Sequence, residues 1–317
     1  MNINNLKTET PHNKRKSVTV LGLGNMGAAI AHTFINQGYD TVVWNRNAEK
    51  CNPLIQEGAT AEATLGGAVA VSNQVVICLL NNTAVDEVLR QVAGAVAGKV
   101  FINLTSGTPA QARDFAKWTE KQNASYIDGK ILADPIDIGT AKAQLLFSGK
   151  PTVFDAQYSL LEKLGTVTYY GEDAGAAAVD FLAQVAIGYE FLIGFLHTLQ
   201  LVHQEGVDLA AFAHRVAGTL QGYGPLLSLM VNEIKLGTYQ PDLGPLQVQA
   251  AMFNDLINHR KSKNVETLRM QEIKNLMDCR IADGHGSQGF SSLFELLGKQ
   301  KQLAALTTIF EGNANKI

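Results

Sequence analysis

Cysteine is scarce in this sequence of 317 residues, and its spacing excludes two classes of protein. Only Cys51, Cys78 and Cys279 occur, and no two of them form a C-x-x-C pair. A disulfide-stabilised secreted domain and a cysteine zinc site both need more cysteines at closer spacing. We therefore interpret all three as reduced thiols of a cytoplasmic protein that has no metal site.

Charge is sparse as well, and neither sign dominates. Asp, Glu, Lys and Arg make up 17% of the residues, and the formal net charge at pH 7 is −3. This balance argues against nucleic acid or an anionic membrane as a partner. The first sixteen residues lack the apolar core of a secretory signal, so we expect residues 1–16 to form a disordered tail outside the fold.

Short apolar runs alternate with helical patterns through the first half of the chain. The run SVTVLG at 17–22 is typical of a buried parallel strand that ends at a glycine turn. Further strands are predicted at 41–44, 74–79, 100–104, 125–127, 144–148 and 166–170. The alternation predicts a doubly wound α/β Rossmann domain over residues 17–174, with right-handed crossovers.

A long apolar stretch without proline follows at 175–203. Its length would suit a membrane span, but the polar residues Asp180, Glu190 and His197 inside it argue against one. A helix that is apolar on nearly all sides must be covered by protein, and a second subunit is the simplest cover. Residues 204–317 read as an all-α domain, with helices predicted at 209–220, 225–235, 246–260, 265–283 and 291–306. We therefore expect a homodimer.

A G-x-G-x-x-G motif stands between the first strand and the first helix, which is the context that a dinucleotide site requires. Gly22 permits the tight turn, Gly24 lets the backbone approach the pyrophosphate, and Gly27 lets helix and strand pack closely. The pyrophosphate of the cofactor would meet the helix N-terminus, where free N–H groups favour an anion. The predicted cofactor contacts in this motif are Gly22, Gly24, Asn25, Met26 and Gly27.

The end of the second predicted strand favours NADP(H) over NAD(H). An NAD enzyme usually places an acidic residue here, but the chain reads Asn45-Arg46-Asn47. Arg46 is suited to pair with a 2′-phosphate, and Lys50 adds positive charge, so Asn45, Arg46 and Lys50 are predicted cofactor residues. Four residues at the ends of the next strands are predicted to lie beside the ribose and nicotinamide: Leu79, Leu80, Asn103 and Thr105.

Several segments in the same order resemble the imine reductase and reductive aminase family, within the β-hydroxyacid dehydrogenase superfamily. They are VLGLGNMGAAIA (20–31), VWNRN (43–47), ICLLNN (77–82), NLTSGTP (103–109), GEDAGAAA (171–178), GFLH (194–197) and DGHG (283–286). The resemblance implies NADPH-dependent reduction of a C=N bond, with an imine, or a ketone plus an amine, as substrate. It also implies a homodimer with exchanged helical domains and two active sites at the interface.

The chain departs from this family at one position of the active site. Relatives commonly place an aspartate or tyrosine shortly after GAAA, and Phe181 stands there in this sequence. The nearest carboxylate, Asp180, lies one residue earlier, about 100° away around a helix. Tyr189 matches a tyrosine that lines the family's active site. Our catalytic candidates are Asp180, Tyr189 and Asp137. Our substrate-binding candidates are Phe181, Asp134 and Gln249.

Two other functions stay open. Hydroxyacid dehydrogenases of the wider superfamily carry a lysine in the long helix, and this chain has none between Lys163 and Lys235. That absence argues against a β-hydroxyacid or carbonyl dehydrogenase without excluding one. Phe181 cannot donate a proton, which leaves room for a second alternative, a non-catalytic NADPH-binding protein.

Overall fold

The computed structural model describes residues 16–297 and confirms a Rossmann-type sheet followed by an all-α region. The strands are β1 Ser17–Leu21, β2 Asp40–Trp44, β3 Thr60–Ala61, β4 Gln74–Ile77, β5 Val100–Asn103, β6 Ser125–Leu132, β7 Gln144–Gly149 and β8 Thr166–Tyr169. The helices are α1 Asn25–Asn36, α2 Asn52–Gln56, α3 Leu65–Val71, α4 Asn82–Gln91, α5 Pro109–Lys121, α6 Pro151–Leu161, α7 Ala176–Gln204, α8 Leu209–Leu220, α9 Tyr223–Leu236, α10 Leu246–Ser262, α11 Leu268–Arg280 and α12 Phe294–Leu297. The predicted N-terminal tail lies outside the described residues, apart from Lys16.

The eight strands form one sheet in the order β3-β2-β1-β4-β5-β6-β7-β8. The pairs from β3 to β6 are parallel, as the doubly wound prediction requires, but β7 runs antiparallel to β6. The doubly wound arrangement therefore extends from β3 to β6, and β7 departs from it. Residues 133–143 between β6 and β7 form no crossover helix, and a parallel return needs a connection of about a dozen residues or more, usually with a helix.

Side chains that alternate along the strands build two cores, one on each face of the sheet. Val20 and Ile102 belong to the core beneath α1 and α6, whereas Leu21 and Phe101 belong to the core beneath α3, α4 and α5. All four are fully buried. Because both faces are covered, the consecutive residues Val75, Val76 and Ile77 of β4 are all apolar and all buried.

Inter-residue contacts divide the chain into two units, with the boundary inside α7 between Gly188 and Tyr189. By length and composition, α7 is the single helix among the described residues that is apolar enough to cross a membrane. The second unit packs α10 and α11 around Leu246, Phe253 and Met277. Its last predicted helix, 291–306, is described as far as Leu297, and the remainder lies outside the described residues. The predicted domain boundaries remain a prediction.

Candidate cofactor cleft and active site

The carboxyl ends of β1, β2 and β4 surround a cleft of about 940 Å³. Two of its glycines are required by close packing. Gly22 has a φ of +95°, and a Cβ built there would lie 2.3 Å from the carbonyl oxygen of Cys78. A Cβ at Gly27 would lie 2.0 Å from the carbonyl oxygen of Gly22. The G-x-G-x-x-G spacing thus allows α1 to pack directly on the turn that forms the floor of the cleft.

The N-terminus of α1 opens into this cleft. Its N-cap is Gly24, and no side chain caps the first amides or places an acid in the first turn. Free N–H groups and the helix dipole make such an end suitable for an anion. Asn45 fixes the neighbouring loop, because its side-chain oxygen accepts a hydrogen bond from the Leu23 amide at 2.9 Å.

The residues that line the cleft come from the glycine turn, the loop after β2, the end of β4 and one face of α4. They are Gly22, Leu23, Gly24, Asn25, Met26, Gly27, Trp44, Asn45, Arg46, Asn47, Lys50, Cys78, Leu79, Leu80, Asn81, Thr83, Ala84, Glu87 and Val88. Every cofactor residue predicted from the glycine motif, the β2 loop and the end of β4 is among them. Their predicted contact with NADP(H) remains a prediction.

Two further predicted cofactor residues lie under the cleft and not along its wall. Asn103 and Thr105 are both fully buried, and the Asn103 side chain accepts a hydrogen bond from the Thr105 amide. The Thr105 hydroxyl in turn accepts one from the amide of Leu79 at 3.0 Å. Through the Leu79 backbone, both residues support the cleft, and their predicted contact with the cofactor remains a prediction.

This support continues into a buried ion pair that the sequence analysis missed. Lys130 Nζ lies 2.7 Å from Asp128 Oδ2, and each side chain is 1% exposed. Lys130 also donates to the carbonyl oxygen of Thr105, and Tyr126 donates to Asp128. Burial raises the pKa of Asp128 to about 6, although Lys130 opposes this shift. The signal was a D-x-K sequence on one face of the otherwise apolar strand β6.

Asp180, the first catalytic candidate, is hydrogen-bonded inside its own unit. Its Oδ2 accepts a hydrogen bond from the Tyr170 hydroxyl at 2.8 Å and another from the Gln184 amide at 2.6 Å. Burial raises the pKa of Tyr170, and the hydrogen bond to Asp180 raises it further, so this hydroxyl keeps its proton at neutral pH. Asp180 is half-buried and does not line the cofactor cleft.

Asp134 and Asp137 lie together on the short turn after β6. The Asp137 amide donates to the carbonyl oxygen of Asp134 at 2.9 Å, and the Thr140 hydroxyl donates to the carbonyl oxygen of Asp137. Ile136 between them is 87% exposed. The turn therefore presents a large apolar side chain flanked by two carboxylates at the surface of the first unit.

The remaining candidates lie on helices. Phe181 is half-buried in the first unit, and Tyr189 is 70% exposed at the start of the second. Among the residues that the structure describes, no hydrogen-bond partner is found for the Tyr189 hydroxyl. Gln249 is buried, and its side-chain amide donates to the carbonyl oxygen of Gly244 at 2.6 Å.

The cysteines offer no reactive group to the site. All three are free thiols, and burial raises the pKa of Cys78, which lines the cleft, to about 11. Between residues 16 and 297, no group of three His, Cys, Asp or Glu side chains is placed to hold a metal ion.

Two family models match the chain in sequence. The NAD binding domain of 6-phosphogluconate dehydrogenase matches residues 17–171, and the NADPH-dependent reductive aminase-like C-terminal domain matches residues 173–299. The NADPH-dependent reductive aminase of Aspergillus oryzae is 35% identical over 288 residues, which span 88% of this chain and 96% of that protein.

Solved structures are similar over nearly the same length. A reductive aminase from Aspergillus terreus in complex with NADPH and ethyl levulinate has a TM-score of 0.82 and 35% identity, covering 89% of this chain and 99% of that one. A structure of a reductive aminase from the same fungus with NADPH4, cyclohexanone and allyl amine has a TM-score of 0.80 and 36% identity, at the same coverage. An imine reductase from Bacillus cereus has a TM-score of 0.83 and 29% identity, covering 90% and 100%.

Proposed function

The chain belongs to the imine reductase and reductive aminase family, and we propose that it reduces the C=N bond of small-molecule imines with NADPH. It is an NADPH-dependent oxidoreductase. The substrate is an imine supplied as such, or one formed from a ketone and an amine. The proposal rests on the structure of the cleft. It combines a glycine turn, an uncapped helix N-terminus and the cationic side chains of Arg46 and Lys50.

The cleft residues fit NADPH. Gly22 and Gly27 leave room where a Cβ would collide with backbone, and the N-terminus of α1 is suited to the pyrophosphate. Arg46 and Lys50 are suited to hold the 2′-phosphate, since a guanidinium makes strong charge-assisted hydrogen bonds to phosphate. When bound, the cofactor supplies a hydride to the imine carbon.

The protein must then orient the imine and keep it protonated. Because Phe181 has no proton to give, we propose that Tyr189 contacts the substrate. Its hydroxyl stands on an exposed part of α7, whereas Asp180 already accepts hydrogen bonds from Tyr170 and Gln184. We assign Asp180 to positioning and Asp137 to the attraction of a cationic imine or amine.

A second copy of the chain would complete this site. Many large apolar side chains on the helices α7 to α10 are exposed, which is unusual for helices of a monomer. They include Val179, Leu182, Ile187, Leu192, Leu196, Leu227, Val231, Val248 and Met252. We propose a homodimer with these helices at the interface and, from the cysteine content, a cytoplasmic location. Phe181 and the substrate residues Asp134 and Gln249 would then line a cleft between subunits.

The test is NADPH oxidation with a panel of cyclic imines, ketones with and without amines, and aldehydes, together with NADP+ reduction by 3-hydroxyacids, which measures the dehydrogenase reaction in reverse. Turnover of imines supports the proposal. Turnover of carbonyls or hydroxyacids alone would favour the dehydrogenase alternative, and NADPH binding without any turnover would favour a non-catalytic binding protein.

The same assay identifies the proton donor. A general acid contributes about 10²–10⁴-fold to the rate, so Tyr189→Phe should lower turnover by about a hundredfold. Asp180→Asn and Asp137→Asn should have smaller effects, and Tyr158→Phe, at an exposed tyrosine of α6, is the matched control. A hundredfold loss in Asp180→Asn that recovers at lower pH would instead make Asp180 the donor.

A further inference from the structure

The carboxylate of Glu87 forms an ion pair with Arg46, the residue proposed to bind the 2′-phosphate. Glu87 lies on α4, and its Oε2 is 3.2 Å from Nη2 of Arg46. The two residues are 41 positions apart in the sequence, so the fold and not local spacing brings them together. Both side chains reach water, at 81% exposure for Arg46 and 54% for Glu87.

The position of Glu87 on its helix directs it into the cleft. Thr83, Ala84 and Val88 also line the cleft, and their spacing from Glu87 places all four on one face of α4. The preceding residue, Asp86, points elsewhere and forms an ion pair with Arg90 at 2.6 Å. Glu87 is therefore part of the cleft wall, beside the guanidinium, while Asp86 is not.

A carboxylate in this place has opposite effects on the two nicotinamide cofactors. A 2′-phosphate carries negative charge, so Glu87 repels it and competes with it for Arg46. A 2′-hydroxyl is neutral and can donate a hydrogen bond to a carboxylate, which is how NAD enzymes commonly recognise the ribose. In this chain the end of β2 has no such acid, and Glu87 supplies one from a different element.

We propose that Glu87 is a specificity-determining residue that weakens the preference for NADPH and allows NADH to bind. It offsets the charge of Arg46 when no 2′-phosphate is present and accepts a hydrogen bond from the ribose of NADH. This inference rests on the proposed binding of NADPH in the cleft.

Calorimetric binding of adenosine 2′,5′-bisphosphate and of ADP tests this proposal without catalysis. Glu87→Gln should tighten the bisphosphate by about three- to tenfold, the range expected for a half-exposed charge acting on a dianion, and should not tighten ADP. The gain should shrink as salt is added. Asp86→Asn, which removes the same charge from the same helix outside the cleft, should change neither affinity by more than about twofold.

The proposal fails if Glu87→Gln leaves the ratio of the two affinities unchanged, or changes it no more than Asp86→Asn does. Arg46→Ala shows whether such a result refutes only the role of Glu87 or also the assignment of the 2′-phosphate to Arg46. It should weaken the bisphosphate by about ten- to a hundredfold with ADP nearly unaffected. If Arg46→Ala weakens neither ligand, the assignment of the 2′-phosphate to Arg46 is wrong, and the role of Glu87 falls with it.

Discussion

Replacing Lys130 with methionine removes one member of the buried ion pair while it keeps most of the side chain's length. Asp128 would retain its hydrogen bond from Tyr126, and the carbonyl oxygen of Thr105 would lose its donor. Removing one partner of a buried pair costs about 3–5 kcal/mol, because the remaining charge is left without compensation. We expect a loss of that size in the free energy of unfolding at neutral pH.

The loss in the free energy of unfolding caused by Lys130→Met should be larger at high pH than at low pH. The pKa of Asp128 is raised from 3.8 to about 6 in the folded protein, so the folded state binds more protons than the unfolded state between these values. Stability from this group therefore falls as pH rises from about 4 to 6 and then levels off. Without Lys130, which lowers the pKa, the fall should continue above pH 6. The variant should thus lose more stability at pH 8 than at pH 5.

Urea unfolding of wild type and Lys130→Met at pH 5 and pH 8 measures both effects. Lys142→Met, at an exposed lysine, is the matched control, and Asp128→Asn combined with Lys130→Met should recover part of the loss. A cost below about 1 kcal/mol at pH 8, or a cost that is larger at pH 5, would refute the reasoning.

Three further predictions concern the cleft, an ion pair and assembly. Gly27→Ala should abolish NADPH binding measured by fluorescence, because its Cβ would meet the carbonyl oxygen of Gly22 at 2.0 Å; retained affinity would contradict the packing. Hydrogen bonds from Arg113 lower the pKa of Asp173 to about 2, so the stability they contribute is present above pH 4 and is lost towards pH 2. Arg113→Ala should therefore destabilise slightly at pH 7 and by progressively less as pH falls towards 2, as acid titration would show. Light scattering should report about twice 34.1 kDa, and an active monomer would exclude the shared site.

The cofactor half of the molecule was predictable because its signals are local. The glycine spacing, the strand before it and the helix after it follow each other in the chain, and Arg46 comes directly after β2. The resemblance to the family extended this prediction to the order of the domains. Helix α7 was predictable from its uninterrupted apolar composition, and its bounds, Ala176–Gln204, differ from the predicted ones by one residue at each end.

The parts that were missed depend on contacts between distant segments. Glu87 reaches the cleft only because α4 packs beside the loop after β2, and nothing in the sequence near Glu87 shows this. The D-x-K pattern in β6 was visible, but its burial follows from the neighbouring strands and helices. Likewise, Asp180 was chosen for its position along the chain, and its hydrogen bond from Tyr170 depends on where β8 ends, whereas Gln184 lies four residues along the same helix.

The most direct test of the account is the transfer of deuterium to a cyclic imine from NADPH that carries deuterium at both hydrogen positions of the nicotinamide C4. Mass spectrometry and NMR of the amine product show whether the label arrives and on which atom. We predict one deuterium on the former imine carbon, and no transfer in Gly27→Ala, which cannot bind the cofactor. An unlabelled amine, or NADPH that stays unchanged with every imine in the panel while it remains bound, would contradict the claim that this chain is an imine reductase.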